Sequence, residues 1–119
     1  MKEIEIRGQI YRIHCLIGKI QNELKWHKFI TIEIKSQDKM GKPYFYAQAI
    51  YYADKTFPYY LWVNEKTLAM DDKNLTELLK HEVAHFITGE GHTKKFREFC
   101  QKYNIDYKSK GVMGGIKLR

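Results

Sequence analysis

Two cysteines, Cys15 and Cys100, are all that a chain of 119 residues contains. They are too few for a disulfide framework and stand at no ligand-pair spacing, so buried free thiols in a reducing cytoplasm are expected. Long apolar runs are missing as well, and the opening segment MKEIEIRG lacks the apolar core of a signal peptide. Both absences argue against membrane insertion and secretion. No linker, low-complexity tract or internal repeat interrupts the sequence, and residues 1–119 read as one domain, taken as a monomer. What is plentiful is apolar and aromatic side chain, 44% and 14% of residues, enough for a core that needs no covalent staple.

Acidic residues are scarce at one end only. The formal net charge is +7, and +6 of it falls on residues 93–119, where Lys94, Lys95, Arg97, Lys102, Lys108, Lys110, Lys117 and Arg119 face only Glu98 and Asp106. A localised basic segment attracts polyanions through steering and counterion release. The plainer reading is a solvated, solubility-promoting end. If DNA is bound, Lys94, Lys95, Arg97 and Lys102 are the candidate contacts.

Hydrophobic spacing predicts the elements. Ile10, Ile13, Ile17, Ile20 and Leu24 recur at three and four, giving an amphipathic helix from Gln9 to about Lys25 with Gly18 inside it. Residues 29–35 alternate strictly, with Ile30, Ile32 and Ile34 on one face of a half-buried strand. Turn chemistry from Ser36 to Pro43 separates it from a second strand, Tyr44 to Tyr52, and a short connector leads to a third, Tyr59 to Asn64, as in an antiparallel hairpin. Nine of the seventeen aromatics lie between Tyr44 and Trp62; we read them as core and flank rather than as a base-stacking platform, because strands like these normally cover a helix. A further helix, capped at Asn74, carries Leu75, Leu78, Leu79, Val83, Phe86 and Ile87 and stops at Gly89. A last helix from about Thr93 to Tyr103 has Phe96, Phe99, Cys100 and Tyr103 on its apolar face. Helix, three strands, helix, helix makes an α+β domain.

The helix that ends at Gly89 contains His81-Glu82-Val83-Ala84-His85, an H-E-x-x-H pattern. Residues four apart share a helix face, so His81 and His85 can offer two imidazole nitrogens to one Zn²⁺, and Glu82 lies on the adjoining edge. A catalytic zinc needs a third protein ligand and an open position. His92 is favoured, because Gly89 and Gly91 let the chain reverse; Glu90 and Glu98 are the rival ligands. His14 and His27 have no second ligand type at helical spacing and are read as structural or exposed. With zinc bound, Glu82 would act as general base and then general acid in hydrolysis. An oxyanion donor is open between Tyr103, Tyr107 and a backbone amide. An extended polypeptide substrate could pair with a free strand edge, a mode needing little side-chain recognition.

His81-Glu-Val-Ala-His85, then Gly91-His92, then Phe96 and Cys100, resembles the SprT-like minimal zincin peptidases, and Leu61-Trp62-Val63-Asn64 looks like the short strand that precedes their active-site helix. The resemblance covers about residues 59–103. It implies a small zincin fold, zinc held by His81, His85 and His92, and Glu82 as the catalytic carboxylate. Spartan-type members of that family cleave proteins attached to DNA, which implies a DNA-associated substrate. Larger members continue into a zinc ribbon, for which this chain has no cysteine pair. Three residues rather than two separate His85 from Gly89, which argues against a metzincin. The alternative reading is a nucleic-acid- or protein-binding module whose zinc site is structural or vestigial.

Overall fold

The first apolar stripe becomes α1, Glu3–Leu24. In this computed structural model, which describes residues 1–40, 45–107 and 112–118, the helix starts at Glu3 rather than at Gln9. Glu3 and Glu5 occupy its first turn, where the helix dipole favours acids, and Arg7 pairs with Glu3 one turn on at 2.6 Å. Ile13, Leu16, Ile17, Ile20 and Leu24 are buried. Cys15 is exposed, contrary to expectation, because it lies about 200° around the helix from Ile13 and so outside the buried stripe; only Cys100 is a buried thiol.

Strand β1, Ile30–Lys35, alternates as expected, with Ile30 and Ile32 buried and Thr31 and Glu33 exposed. Gln37–Met40 forms one short helical turn, α2, within the segment whose residues predict a turn; residues 41–44, including Tyr44 at the expected start of the next strand, lie outside the described residues. β2, Phe45–Tyr52, and β3, Tyr59–Asn64, pair antiparallel, with Ala49 opposite Leu61. β1 pairs parallel with β3, Ile32 opposite Leu61, so β3 lies between its two predecessors. A strand that periodicity does not reveal, β4 at Val112–Leu118, joins the outer side of β2 in parallel and completes the order β1-β3-β2-β4. Gly114 and Gly115 in its middle hide it from a propensity reading.

After a 3-10 turn over Glu65–Ala69 comes α3, Asp72–Thr88. Its cap is Asp71, whose carboxylate accepts the Asn74 amide at 2.8 Å. Asn74, expected as the cap, is inside the first turn, because the charged Asp71 carboxylate satisfies the free amides of a positive helix end more strongly. α3 runs beneath β2 and beside α1. Ala47, Ala49, Tyr51, Leu61 and Val63 of the sheet and Leu75, Leu79, Val83 and Phe86 of α3 are fully buried in one core. Tyr59 and Trp26 meet Phe86 at ring separations of 5.5 and 6.0 Å; of the aromatics between Tyr44 and Trp62, Tyr51 and Tyr59 are buried in the core, Phe45, Tyr52 and Trp62 are half-buried, and Phe57 is exposed. Tyr46 and Tyr60 remain partly exposed. α4, Lys94–Lys102, packs on α3 through Phe96 and Cys100. Among the described residues no helix is long and apolar enough to cross a membrane.

Arg12 fastens α1 to the entry of α3. Its guanidinium donates to the Leu68 carbonyl at 3.0 Å, the Met70 carbonyl at 2.6 Å and Asp72 at 2.8 Å. Arg12→Ala leaves two carbonyls and a carboxylate without this donor, and a loss of about 2–3 kcal/mol in urea unfolding is expected. Arg12→Lys should recover less than half of it, because an ammonium cannot reproduce the fork. A loss below 0.5 kcal/mol for Arg12→Ala would show that the clasp is dispensable.

Candidate metal centre

The helix that buries Leu79, Val83 and Phe86 also turns His81, Glu82 and His85 inward, and all three are buried. α3 ends at Gly89, whose φ of 64° is left-handed and whose amide returns to the His85 carbonyl. A Cβ there would stand 2.8 Å from the Ala53 carbonyl, so glycine is required both by conformation and by the approach of the β2–β3 connector. Gly91, expected to share in the reversal, has no left-handed φ and has open space where a Cβ would lie; the turn is made at Gly89. The chain then brings exposed His92 back over the two buried histidines, just before Thr93 caps α4 by accepting the Phe96 amide.

The three Nε2 atoms converge. His81 Nε2 lies 3.1 Å from that of His92 and 3.2 Å from that of His85. The far ring nitrogens of the two buried histidines are spoken for: His81 Nδ1 donates to the Asp106 carbonyl at 2.9 Å and His85 Nδ1 to the Glu90 carbonyl at 2.8 Å. A carbonyl can only accept, so both Nδ1 atoms carry the proton and both Nε2 atoms present a lone pair. Burial pushes the imidazolium pKa of His81 down to about 4 and that of His85 to about 3, and lowers that of His92, despite the carbonyl bonds that favour the charged form at the first two. Neutral imidazoles with facing lone pairs repel, and a shared cation relieves this. Four-coordinate zinc with Zn–N of about 2.0–2.1 Å sets its ligand atoms about 3.3–3.4 Å apart, close to the separations found. The donor set therefore fits zinc, and carbonyl partners on the far nitrogens are the usual outer support of a metal site.

His81, His85 and His92 are the one potential metal-holding group among the described residues. Of the rival ligands, Glu90 contributes its backbone carbonyl, and Glu98 lies on α4, 3.8 Å from Lys94. Phe96 walls the site, its ring stacked on His85 at 4.2 Å and edge-on to His81 at 5.1 Å. His14 and His27 are exposed elsewhere.

Glu82 is fully buried. Its Oε1 accepts the Ala49 amide of β2 at 3.0 Å, while Oε2 has no partner. Burial raises its carboxyl pKa well above the usual range, against the lowering effect of that amide. The Asn64 side chain that ends β3 donates to the Phe45 carbonyl and accepts the Lys66 amide, holding the sheet to the 3-10 turn. Tyr107 lines a cleft on α4 with Lys94 and Arg97, and the Tyr103 ring lies tilted against Phe99 at 4.7 Å. Lys94, Lys95, Arg97 and Lys102 are exposed on α4. Lys108, Lys110 and Arg119 lie outside the described residues, and for Lys117 only the backbone is described.

Tyr51 is the site residue that motif reading misses. It donates to the Glu90 carbonyl at 2.7 Å, the same oxygen that accepts His85, and its ring lies against His85 at 6.1 Å. Burial, helped by Glu82 and Glu90, pushes its phenol up to about 12. The signal was present in β2, where Ala47, Ala49 and Tyr51 alternate toward α3. Tyr51→Phe keeps the ring and removes one donor to the Glu90 carbonyl while His85 Nδ1 stays, and the affinity of the three histidines for an added metal ion is expected to fall about tenfold, as for other outer-shell partners. Chelator competition checks this; unchanged affinity would reduce Tyr51 to packing. The chain matches no protein-family model, no curated protein and no solved structure.

Proposed function

We propose that the protein is a zinc-dependent endopeptidase of the SprT-like kind, with His81, His85 and His92 as metal ligands and Glu82 as the catalytic carboxylate. The observation that carries this reading is the convergence of the three histidine Nε2 atoms, with Glu82, next in sequence to His81, fully buried and one of its oxygens without a partner. Zinc, when bound, supplies Lewis acidity toward a peptide carbonyl and lowers the pKa of water to about 7. Glu82 takes a proton at Oε2 as water adds to the scissile carbon, and passes it to the leaving amine as the C–N bond breaks, which balances the hydrolysis. The Ala49 amide engages Oε1 and leaves Oε2 as the oxygen without a partner. Phe96 and Tyr51 keep the imidazoles in place. The substrate in this reading is polypeptide. The exposed cations of α4 support DNA as the carrier of that polypeptide.

The test is elemental mass spectrometry on untagged protein, combined with hydrolysis of an unfolded polypeptide. About one zinc per chain is expected, with turnover lost on chelation and restored by zinc. Metal without turnover, accompanied by salt-sensitive DNA binding, would assign the chain to the alternative, a binding module with a structural site.

A further inference from the structure

β2 is the strand that lies over the metal centre: its Ala49 amide holds Glu82 and its Tyr51 hydroxyl holds the Glu90 carbonyl. One edge of β2 is closed by β3. The other is closed by β4, which also comes against α3. The register puts Gln48 opposite Gly114, Ala49 opposite Gly115 and Ile50 opposite Ile116. The stretch of β4 beside the residue that holds Glu82 is therefore bare main chain.

This strand is weakly built. Each interior glycine weakens the strand relative to alanine, and the pairing with β2 slips between Phe45 and Gln48. Parallel pairing is also slightly less stable per residue than antiparallel. A displaced β4 would leave β2 with a row of unpaired amides and carbonyls next to Glu82, which is the template that an extended peptide completes.

We propose that the outer edge of β2 is a slot for an extended polypeptide main chain, and that β4 fills this slot until a substrate strand displaces it. The proposal rests on the peptidase reading for the identity of the incoming strand. It goes beyond it by naming the edge and its resident occupant. Recognition is by main-chain hydrogen bonds, since the resident strand offers no side chain at Gly114 and Gly115. While β4 occupies the slot, the apparent affinity of any competing strand is reduced by the fraction of time the slot is open.

The test uses the full chain carrying Gly114→Pro and Gly115→Pro together, so that whichever of the two amides faces β2 is lost. The probe is a fluorescent peptide copying residues 111–118. Its binding is expected to strengthen about tenfold or more in the variant, and hydrolysis of an unfolded polypeptide to rise about fivefold, at unchanged zinc content. Hydrolysis that is equal in both proteins, with no gain in peptide binding, overturns the slot and leaves the peptidase reading standing. A gain in peptide binding with no hydrolysis by either protein keeps the slot and overturns the peptidase. If the variant does not fold, hydrogen exchange on the unaltered chain decides. Saturating peptide should speed exchange of the amides at 112–118 about tenfold while sparing Leu61 and Val63 of β3; unaltered exchange at 112–118 refutes the proposal.

Discussion

Glu82→Gln is expected to leave zinc content unchanged and to lower turnover by about 10³-fold, within the range that a positioned general base supplies. The substitution is nearly isosteric. The amide oxygen of glutamine can still accept the Ala49 amide, now made at 3.0 Å, so the link between α3 and β2 survives. What changes is the other terminal atom, which becomes an NH₂ group with no capacity to take a proton. Stability should not suffer, since a fully buried carboxylate with an unpartnered oxygen is costly to keep charged. Elemental analysis, thermal unfolding and steady-state hydrolysis on one preparation separate these effects. A variant that retained full turnover would end the proposed role of Glu82, whatever its metal content.

The second large effect is on stability. Zinc at a thousandfold excess over its Kd should stabilise the chain by about 4 kcal/mol, which for a domain of this size is about 15 °C in Tm. The two kinds of ligand should fail differently. His92 is exposed, so His92→Ala should leave the metal-free protein within about 0.5 kcal/mol of the parent while removing most of the zinc-dependent gain. His85 is fully buried, stacked on Phe96 and bonded to the Glu90 carbonyl. His85→Ala should remove the zinc gain and also cost the metal-free protein about 2–4 kcal/mol, because it opens a cavity and leaves a carbonyl short of a donor. Calorimetry in chelator and in zinc, on the three proteins, reads both terms. A zinc-induced shift in His92→Ala equal to that of the parent would exclude His92 from the ligand set.

His81 and His85 could be placed together from sequence because a helix puts residues four apart on one face, and Leu79, Val83 and Phe86 show which side of the helix is buried. The third histidine was legible for a related reason: Gly89 ends the helix, and seven residues from His85 to His92 suffice to return. Gly91, by contrast, looks in sequence just like Gly89; only the backbone dihedral and the Ala53 carbonyl beside it distinguish the glycine that is needed from the one that is not. Cys15 was misplaced because buried thiols are common, although its angular position on α1 already argued for exposure.

Periodicity was enough for the α+β class, the faces of α1 and β1, and the meeting of His81 with His85 on α3, since it reports directly which face of an element is buried. Tertiary structure alone decided the strand order, the parallel pairing of β4 with β2, and the carbonyls of Glu90 and Asp106 that fix the tautomers of His85 and His81. The strand pairings and the Asp106 carbonyl join main-chain groups to partners far along the chain, and the Glu90 carbonyl, five residues from His85, reaches it only through the turn at Gly89. Every residue carries the same amide and carbonyl, so such meetings leave no mark in side-chain identity.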